Sequence, residues 1–298
     1  MAYEAYHSNE YYQQYRNMLL NGDPRALICF CIDVSKSMDE YWIQEGGLSR
    51  TSGSGYSDGH TVNYFNPRDI RPGYAYYKKI DKLNEVLSSL LRDFMRDPDI
   101  RDKVAISIVV YSQYGRVLMD FLDCSQLNLS KCRCEVEVEA TAMGDGLRTA
   151  MAQIDEMEND MRHVGKDAYT PLLIFMTDGT PTDHPNAEFA RVRERVQQGE
   201  LHVFPLGIGD SADMSHLRNL FPDRQIPLNF SNRYKMEHPR DYVEIFQEIK
   251  RHVSQRQRVM VSEGDSVQSA PALLDDTVAN NQMGESLIAP DLMGLLLG

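Results

Sequence analysis

The chain has 298 residues, 42% of them hydrophobic, which is enough for one α/β domain with extensions but not for two full domains. Its net charge of -13 argues against nucleic-acid binding, which needs a positively charged face. No apolar run reaches the length of a membrane span, and the polar N-terminus has no signal-type segment. We therefore expect a soluble, cytoplasmic protein that contacts no membrane.

An extension of about 25 residues precedes the first strand. One side of a short helix there would carry Tyr3, Tyr6, Tyr11, Tyr12, Tyr15 and Leu19. We interpret it as a helix packed on the edge of the domain rather than as an aromatic binding surface. The sequence Asn-Gly-Asp-Pro at 21–24 then breaks the chain.

The next pattern is an apolar run that ends in three oxygen-bearing side chains. Residues 26–38 read ALICFCIDVSKSM, so that Asp33, Ser35 and Ser37 follow the run at alternate positions. Such a run predicts a central strand buried on both faces, as in a parallel sheet covered by helices. Ligands of these sheets bind outside the carboxyl ends of the strands, and three oxygen donors there suit a hard divalent cation.

A long connection follows this strand. Residues 39–77 are rich in Gly, Ser and Tyr and show no periodicity. A connection of this kind is typical either of a functional lid or of a solvated insertion, and both interpretations remain open. Because it leaves the oxygen-bearing loop directly, we expect it to lie beside the cation site.

Beyond residue 77 the hydrophobic periodicity predicts alternating helices and strands. Helices are predicted at 78–96, 144–161, 186–198 and 240–253. Strands are predicted at 103–111, 116–121, 171–177 and 201–209, with a short edge strand at 226–230. Together with the first strand, this alternation indicates an α/β fold with a doubly wound, mostly parallel sheet flanked by helices.

Two later stretches strengthen the interpretation of a cation site. The run PLLIFMTDGTPTD, which begins at Pro171, ends its apolar part at Asp178. The stretch TAMGDGL places Thr141 just ahead of a helix. Asp145 falls in the first turn of that helix, where the dipole favours a carboxylate, so we interpret it as structural. Asp183 is interpreted as a turn or cap residue rather than as a ligand.

The cysteines do not indicate a disulfide framework. Their number, five, is odd, and Cys29 and Cys31 lie inside the buried strand. Cys132 and Cys134 form a C-x-C that would suit a soft metal, but no second pair stands at a metal-site spacing. An ordinary edge strand or loop is the favoured interpretation.

With these residues in view, the chain resembles the von Willebrand factor A family from about Arg25 to Ser254. Three motifs occur in the family order: D-x-S-x-S at Asp33, T-x-x-G-x-x-L at Thr141 and T-D-G at Asp178. The resemblance implies a sheet of five parallel strands and one antiparallel strand. The motif T-D-G-x-P-T-D is most similar to that of the intracellular bacterial branch of the family, which includes tellurium-resistance and related stress proteins.

The resemblance also implies a metal-ion-dependent adhesion site. In such a site Ser35, Ser37 and Thr141 would supply hydroxyl ligands, and Asp33 and Asp178 would supply negative charge, largely through water. The ion would be Mg²⁺ or Mn²⁺, and an acidic side chain of a protein partner would complete its shell. Because only two charged groups surround the ion, it can still attract a further carboxylate. Mg²⁺ also keeps waters that a ligand can displace.

The resemblance favours a non-enzymatic, metal-dependent interaction module, an adaptor or scaffold in a bacterial stress-response or defence system. One alternative is a subunit of an ATPase-driven chelatase or remodelling machine, whose motor would be another protein because the chain lacks G-x-x-x-x-G-K-[ST]. Another is a phosphohydrolase with Asp33 as nucleophile, which is disfavoured because Ser35 stands where such enzymes have a second acid. A purely structural alternative has Asp33 and Asp178 capping helices and the serines bonding loop amides.

The composition suggests three parts. Residues 1–25 form the extension, residues 26–257 the domain with its insertion at 39–77, and residues 258–298 an acidic, flexible tail. The tail ends in an apolar segment, MGESLIAPDLMGLLLG. We expect this segment to dock on a partner or on its own domain, the alternative being a frayed end.

Overall fold

The computed structural model describes residues 16–17, 19–20, 22–23, 25–44, 54–57, 60–63, 75–166, 169–209, 211–222, 235–236, 241, 244–247, 249–251 and 253. Contacts divide the chain into two units, Met1–Val267 and Gln268–Gly298, and all described residues belong to the first. The predicted tail at 258–298 and the predicted strand at 226–230 lie outside the described residues.

Ten strands are present in the described part of the chain. They are β1 Ala26–Asp33, β2 Tyr41–Gln44, β3 Ser54–Ser57, β4 His60–Asn63, β5 Ala75–Lys78, β6 Val104–Tyr111, β7 Gly115–Asp123, β8 Tyr169–Thr177, β9 His202–Ile208 and β10 Lys235–Met236. Six form one sheet in the order β10-β9-β8-β1-β6-β7. Neighbouring strands are parallel, except that β7 runs antiparallel to β6. The predicted set of five parallel strands and one antiparallel strand is confirmed.

Five α-helices have both ends within the described residues. They are α1 Lys79–Arg96, α2 Pro98–Arg101, α3 Met143–His163, α4 Asn186–Gln197 and α5 Met214–Arg218. A 3-10 helix, Lys36–Asp39, follows β1. The helices predicted at 78–96, 144–161 and 186–198 are therefore confirmed to within two residues. The described residues between 241 and 253 are also helical.

Strand β1 occupies the middle of the sheet. It pairs with β6 on one side and with β8 on the other. All eight of its residues are buried, because the sheet is flanked by helices and both faces of the strand are apolar. In the register, Asp33 lies opposite Tyr111, so the carboxyl ends of these parallel strands meet at one edge of the sheet.

The long connection contains more structure than its composition indicates. Strand β2 pairs with β5 in antiparallel fashion, with Gln44 opposite Ala75, and β3 pairs with β4. The sequence analysis did not predict these four strands, because main-chain pairing does not require an alternation of apolar side chains. The rest of residues 39–77, apart from the 3-10 turn and the strands, lies largely outside the described residues.

The cysteines follow the prediction. All five are buried and free. Cys132 and Cys134 lie in a loop, where the side chain of Asn84 accepts a hydrogen bond from the Cys134 N–H at 2.8 Å and donates one to its carbonyl at 2.8 Å. The C-x-C therefore serves packing here.

In the described part of the chain, no helix is both long and apolar enough to cross a membrane.

Candidate metal centre

The five predicted site residues lie at or near the carboxyl edge of the sheet. Asp33 is the last residue of β1, and Asp178 directly follows β8. Ser35 and Ser37 lie in the tight turn after β1, and Thr141 lies in the loop before α3. We call Asp33, Ser35, Ser37, Thr141 and Asp178 the candidate centre.

A continuous path of hydrogen bonds connects four of these residues. Oδ1 of Asp33 accepts a bond from the Ser35 N–H at 2.9 Å, and the hydroxyls of Ser35 and Ser37 are 2.9 Å apart. The Ser37 hydroxyl then donates to Oδ1 of Asp178 at 2.6 Å. Residues separated by more than 140 positions in the sequence therefore meet through their side-chain oxygens.

Thr141 is held next to this path by its backbone. Its N–H donates to the hydroxyl of Thr182 at 3.0 Å, and its carbonyl accepts from the Thr182 N–H at 2.9 Å. A Cβ atom added to Gly179 would lie 3.5 Å from the Thr141 hydroxyl oxygen. The hydroxyl therefore faces the residue that follows Asp178, and the absence of a side chain at Gly179 keeps that space open.

The backbone of the β1 turn is held on both sides. The Val34 N–H donates to the Tyr111 carbonyl at 2.9 Å, and the Lys36 N–H donates to the Val138 carbonyl at 3.1 Å. Ser35 precedes the 3-10 helix but forms no side-chain capping bond. The serine hydroxyls bond each other and Asp178 rather than loop amides, whereas Asp33 does accept a loop N–H, that of Ser35.

Asp145 and Asp183 have the structural roles predicted for them. Oδ2 of Asp145 accepts from the Gly115 N–H at 2.7 Å, and its Oδ1 accepts from Arg148 at 2.6 Å. Oδ2 of Asp183 accepts from the Asp145 N–H at 3.1 Å, in the first turn of α3. Both carboxylates thus fix the start of α3 and with it the position of the preceding Thr141.

Burial and charge both act on Asp33, which is fully buried. Burial, with the nearby charge of Asp178 as a second cause, raises the pKa of Asp33 to about 7. Hydrogen bonds from Ser35 and Thr177 oppose this rise. The carboxylates of Asp33 and Asp178 thus form a like-charged pair in a place with little water, an arrangement that favours a cation between or beside them.

A positive charge beside these carboxylates comes from Lys79. The sequence analysis did not identify this residue. Its Nζ lies 2.8 Å from Oδ2 of Asp178 and 3.0 Å from Oε2 of Glu40. Burial alone would lower the pKa of Lys79, but the charges of Asp178 and Glu40 outweigh it and raise the pKa. A signal was present in the sequence, because Lys79 stands on the apolar face of α1, four residues before Leu83 and seven before Val86.

Two oxygen–oxygen separations within the candidate centre are compatible with a small divalent cation. Adjacent ligands of an octahedral ion with bonds of about 2.1 Å lie about 3.0 Å apart. The separations of the Ser37 hydroxyl from that of Ser35, 2.9 Å, and from Oδ1 of Asp178, 2.6 Å, approach this value. Among the described residues no group of three or more His, Cys, Asp or Glu side chains suits a metal, so the fit depends on these hydroxyls.

Three solved structures show a partial likeness to this chain. Proximal thread matrix protein 1 from the mussel byssus is 16% identical with a TM-score of 0.49, and the match covers 79% of this chain and 47% of that one. A von Willebrand factor type A protein from Catenulispora acidiphila is 16% identical with a TM-score of 0.45, covering 76% and 42%. Manganese-loaded TRAP from Plasmodium vivax is 18% identical with a TM-score of 0.44, covering 74% and 71%. The chain thus spans about half the length of the first two.

Comparison with curated protein sequences gave no match. A family model described as the von Willebrand factor type A domain matches residues 75–247, more than half of the chain. The match begins at the last residues of the long connection, so it includes Thr141 and Asp178 but not Asp33, Ser35 and Ser37. Strand β1 nevertheless completes the matched domain, because it lies between β8 and β6 in the same sheet. The chain belongs to the von Willebrand factor type A domain family.

Proposed function

We propose that this chain is a metal-dependent protein-interaction module without enzymatic activity. In this proposal Ser35, Ser37 and Thr141 hold Mg²⁺ or Mn²⁺ through their hydroxyls, and Asp33 and Asp178 supply the compensating charge. A bound ion would offer an open coordination position to an Asp or Glu of a protein partner. The observation that carries the proposal is the path of oxygen atoms from Ser35 through Ser37 to Asp178 at ligand-to-ligand spacing.

The exposure of the candidate centre supports binding from outside. Asp33 and Asp178 are fully buried, and Ser35 and Thr141 are nearly so. Ser37 is only partly buried, which makes it the side of the centre that faces solvent. An ion held at this position would be anchored by buried groups below and open to a partner above.

Three exposed apolar side chains lie on segments at the same edge of the sheet. We call Tyr41, Tyr114 and Val138 the apolar rim. Each lies on a segment at the carboxyl edge of the sheet: Tyr41 follows the 3-10 turn, Tyr114 follows β6, and the Val138 carbonyl bonds the Lys36 N–H of the β1 turn. Their exposures are 42%, 59% and 51%. Exposed apolar and aromatic side chains grouped around a polar centre are typical of protein-binding surfaces.

The phosphohydrolase alternative is poorly supported by the environment of Asp33. Its two carboxylate oxygens accept hydrogen bonds from the Ser35 N–H and from the Thr177 hydroxyl. The side chain has no exposed surface. A nucleophilic carboxylate needs an oxygen that faces its substrate, so we propose an anchoring role for Asp33 rather than a covalent one.

We further propose that the module acts inside a bacterial cell, in a stress-response or defence assembly. This proposed cellular role is supported by the T-D-G-x-P-T-D motif around Asp178. A role as the metal-site subunit of an ATPase-driven complex is the alternative. The identity of the co-purified proteins distinguishes the two, because only the second role requires an ATPase among them.

The proposal is tested by metal titration and affinity purification. We expect Mn²⁺ to bind the wild-type chain with one-site stoichiometry in calorimetry, and partners to co-purify only without a chelator. The Ser35→Ala, Ser37→Ala double variant should lose both the binding of Mn²⁺ and the co-purifying partners. Unchanged Mn²⁺ binding and an unchanged set of partners in this variant would overturn metal-bridged recognition.

A matched control is available at the opposite edge of the sheet. Strand β7 is antiparallel, so the segment after it lies away from the candidate centre. That segment carries the exposed residues Ser125 and Ser130. The Ser125→Ala, Ser130→Ala variant also removes two hydroxyls and should keep both metal and partner binding.

A further inference from the structure

The side chain of Lys79 is buried against the candidate centre, in contact with Asp178. Lys79 is the first residue of α1, and its N–H donates to the Glu40 carbonyl at 3.1 Å. Only 6% of its side chain is exposed. A Cβ atom added to Gly209 would lie 3.4 Å from Cε of Lys79, so the lysine stem passes closely over the end of β9.

This is an unfavourable place for a lysine unless a specific interaction compensates it. The N-terminus of a helix carries the positive end of the helix dipole, which repels a cation. Burial of an ammonium group adds a desolvation cost. Two carboxylates, the buried Asp178 and the exposed Glu40, compensate both effects.

The two carboxylate oxygens of Asp178 accept hydrogen bonds from two different residues. Oδ1 accepts from Ser37, on the side of the proposed ion, and Oδ2 accepts from the Lys79 ammonium. Asp33 and Asp178 would carry two negative charges, and Lys79 offsets one of them. A divalent cation that enters the centre therefore meets a fixed positive charge on the far side of the same carboxylate.

We propose that Lys79 sets the metal affinity of the centre: its ammonium group weakens binding of a divalent cation by the chain alone, so that the ion is held firmly only when a partner supplies a further carboxylate. This inference rests on the proposed function, and it assigns Lys79 as a positioning and affinity-determining residue rather than as a ligand. It makes metal occupancy and partner binding mutually dependent.

Direct titration with Mn²⁺ tests the inference. Lys79→Met removes the charge and keeps most of the stem, and we expect it to bind Mn²⁺ at least about tenfold more tightly than the wild type, which corresponds to about 1.4 kcal/mol. Lys79→Arg keeps the positive charge and should stay within about threefold of the wild type. The readouts are calorimetry and the increase in melting temperature on Mn²⁺ addition, which should be larger for Lys79→Met than for Lys79→Arg.

Lys82 offers a matched control on the same helix. Its side chain is also 6% exposed and its Nζ lies 3.0 Å from Glu85, so Lys82→Met removes an equally buried ammonium that pairs elsewhere. Lys82→Met should leave Mn²⁺ affinity unchanged. If Lys79→Met does not fold, as judged by circular dichroism, Lys79→Gln carries the same expectation. An affinity of the neutral variant equal to or below that of Lys82→Met would overturn the inference.

The outcomes separate this inference from the proposed function. If the wild type binds Mn²⁺ and Lys79→Met binds it no more tightly, the inference is wrong and the metal-dependent module stands. If the wild type alone binds no Mn²⁺ and Lys79→Met does, the inference holds, and the proposed function is then decided by whether partners co-purify with the wild type only in the absence of a chelator. If neither binds, both are wrong.

Discussion

The hydroxyl of Thr177 donates a hydrogen bond of 2.8 Å to Oδ2 of Asp33 and thereby joins the last residues of β8 and β1. Thr177→Val would leave this buried oxygen without its donor, so we expect a loss of about 1–3 kcal/mol in the free energy of unfolding. Urea denaturation measures the change. Thr170→Val, a control near the start of the same strand and partly exposed, should shift the free energy by less than about 0.5 kcal/mol. Equal losses in the two variants would contradict the assigned role of Thr177.

Asp120 in β7 should make stability fall as pH rises. Burial raises the pKa of Asp120 to about 7, and the charges of Glu156 and Asp160 on α3 add to the rise. Those two carboxylates face Arg16, which pairs with both. The unfolded chain releases this proton near pH 4, so between about pH 4 and 7 the native state binds one proton more. Its stability therefore decreases across this window, by up to about 4 kcal/mol in total.

Asp120→Asn tests this dependence because it removes the titrating group. Measured by urea denaturation from pH 4 to pH 8, the variant should gain stability relative to the wild type as pH rises. Asp102→Asn is the control: Asp102 is exposed and pairs with Arg101, and its pKa is lowered by that hydrogen bond. Curves for Asp120→Asn and wild type that run parallel over the whole range would refute the prediction.

The apolar rim should contribute to partner binding without affecting metal binding. Tyr114→Ser and Val138→Ser each remove an exposed apolar side chain beside the candidate centre, and each should weaken partner binding by about 1 kcal/mol or more. Mn²⁺ affinity should stay the same. Val164→Ser is the control, since Val164 is 45% exposed at the far end of α3, about 30 Å from the helix start. A loss of partner binding as large in the control would argue against a specific rim.

Residues 45–74, the middle of the long connection, should be removable without loss of the fold. Gln44 and Ala75 are directly opposed in the β2–β5 pair, so an Asn-Gly turn in place of residues 45–74 would close a two-residue hairpin. We expect the free energy of unfolding to stay within about 1 kcal/mol, and partner binding to weaken. A melting temperature lowered by more than about 10 °C would show instead that the removed residues belong to the core.

The main strands and the residues of the candidate centre could be predicted because their signals are local, whereas the set of five parallel strands and one antiparallel strand came from the family resemblance. Apolar runs that stop at Asp33 and Asp178 mark the ends of two parallel strands, and these ends necessarily meet at one edge of the sheet. Lys79 and Thr177 escaped prediction for a different reason. Each acts on a residue more than 95 positions away, and only the tertiary structure shows which buried carboxylate receives the bond.

The two small antiparallel pairs in the connection were missed because strand prediction relies on apolar alternation. Residues 54–57 read SGYS and residues 60–63 read HTVN, a composition that indicates a loop. Their pairing depends on main-chain hydrogen bonds, which leave little trace in the sequence. The domain boundary near 257 and the docking of the apolar tail segment stay predictions.

The central position of β1 has a consequence during protein synthesis. Both of its neighbours are made later: β6 ends at Tyr111 and β8 ends at Thr177, about 80 and 140 residues after Asp33. At a translation rate of about 5–20 residues per second, the segment ALICFCI waits about 7–30 s for its second neighbour. For that time one of the most apolar segments of the chain is without its full cover, so ribosome-associated chaperones should meet the nascent chain at this strand.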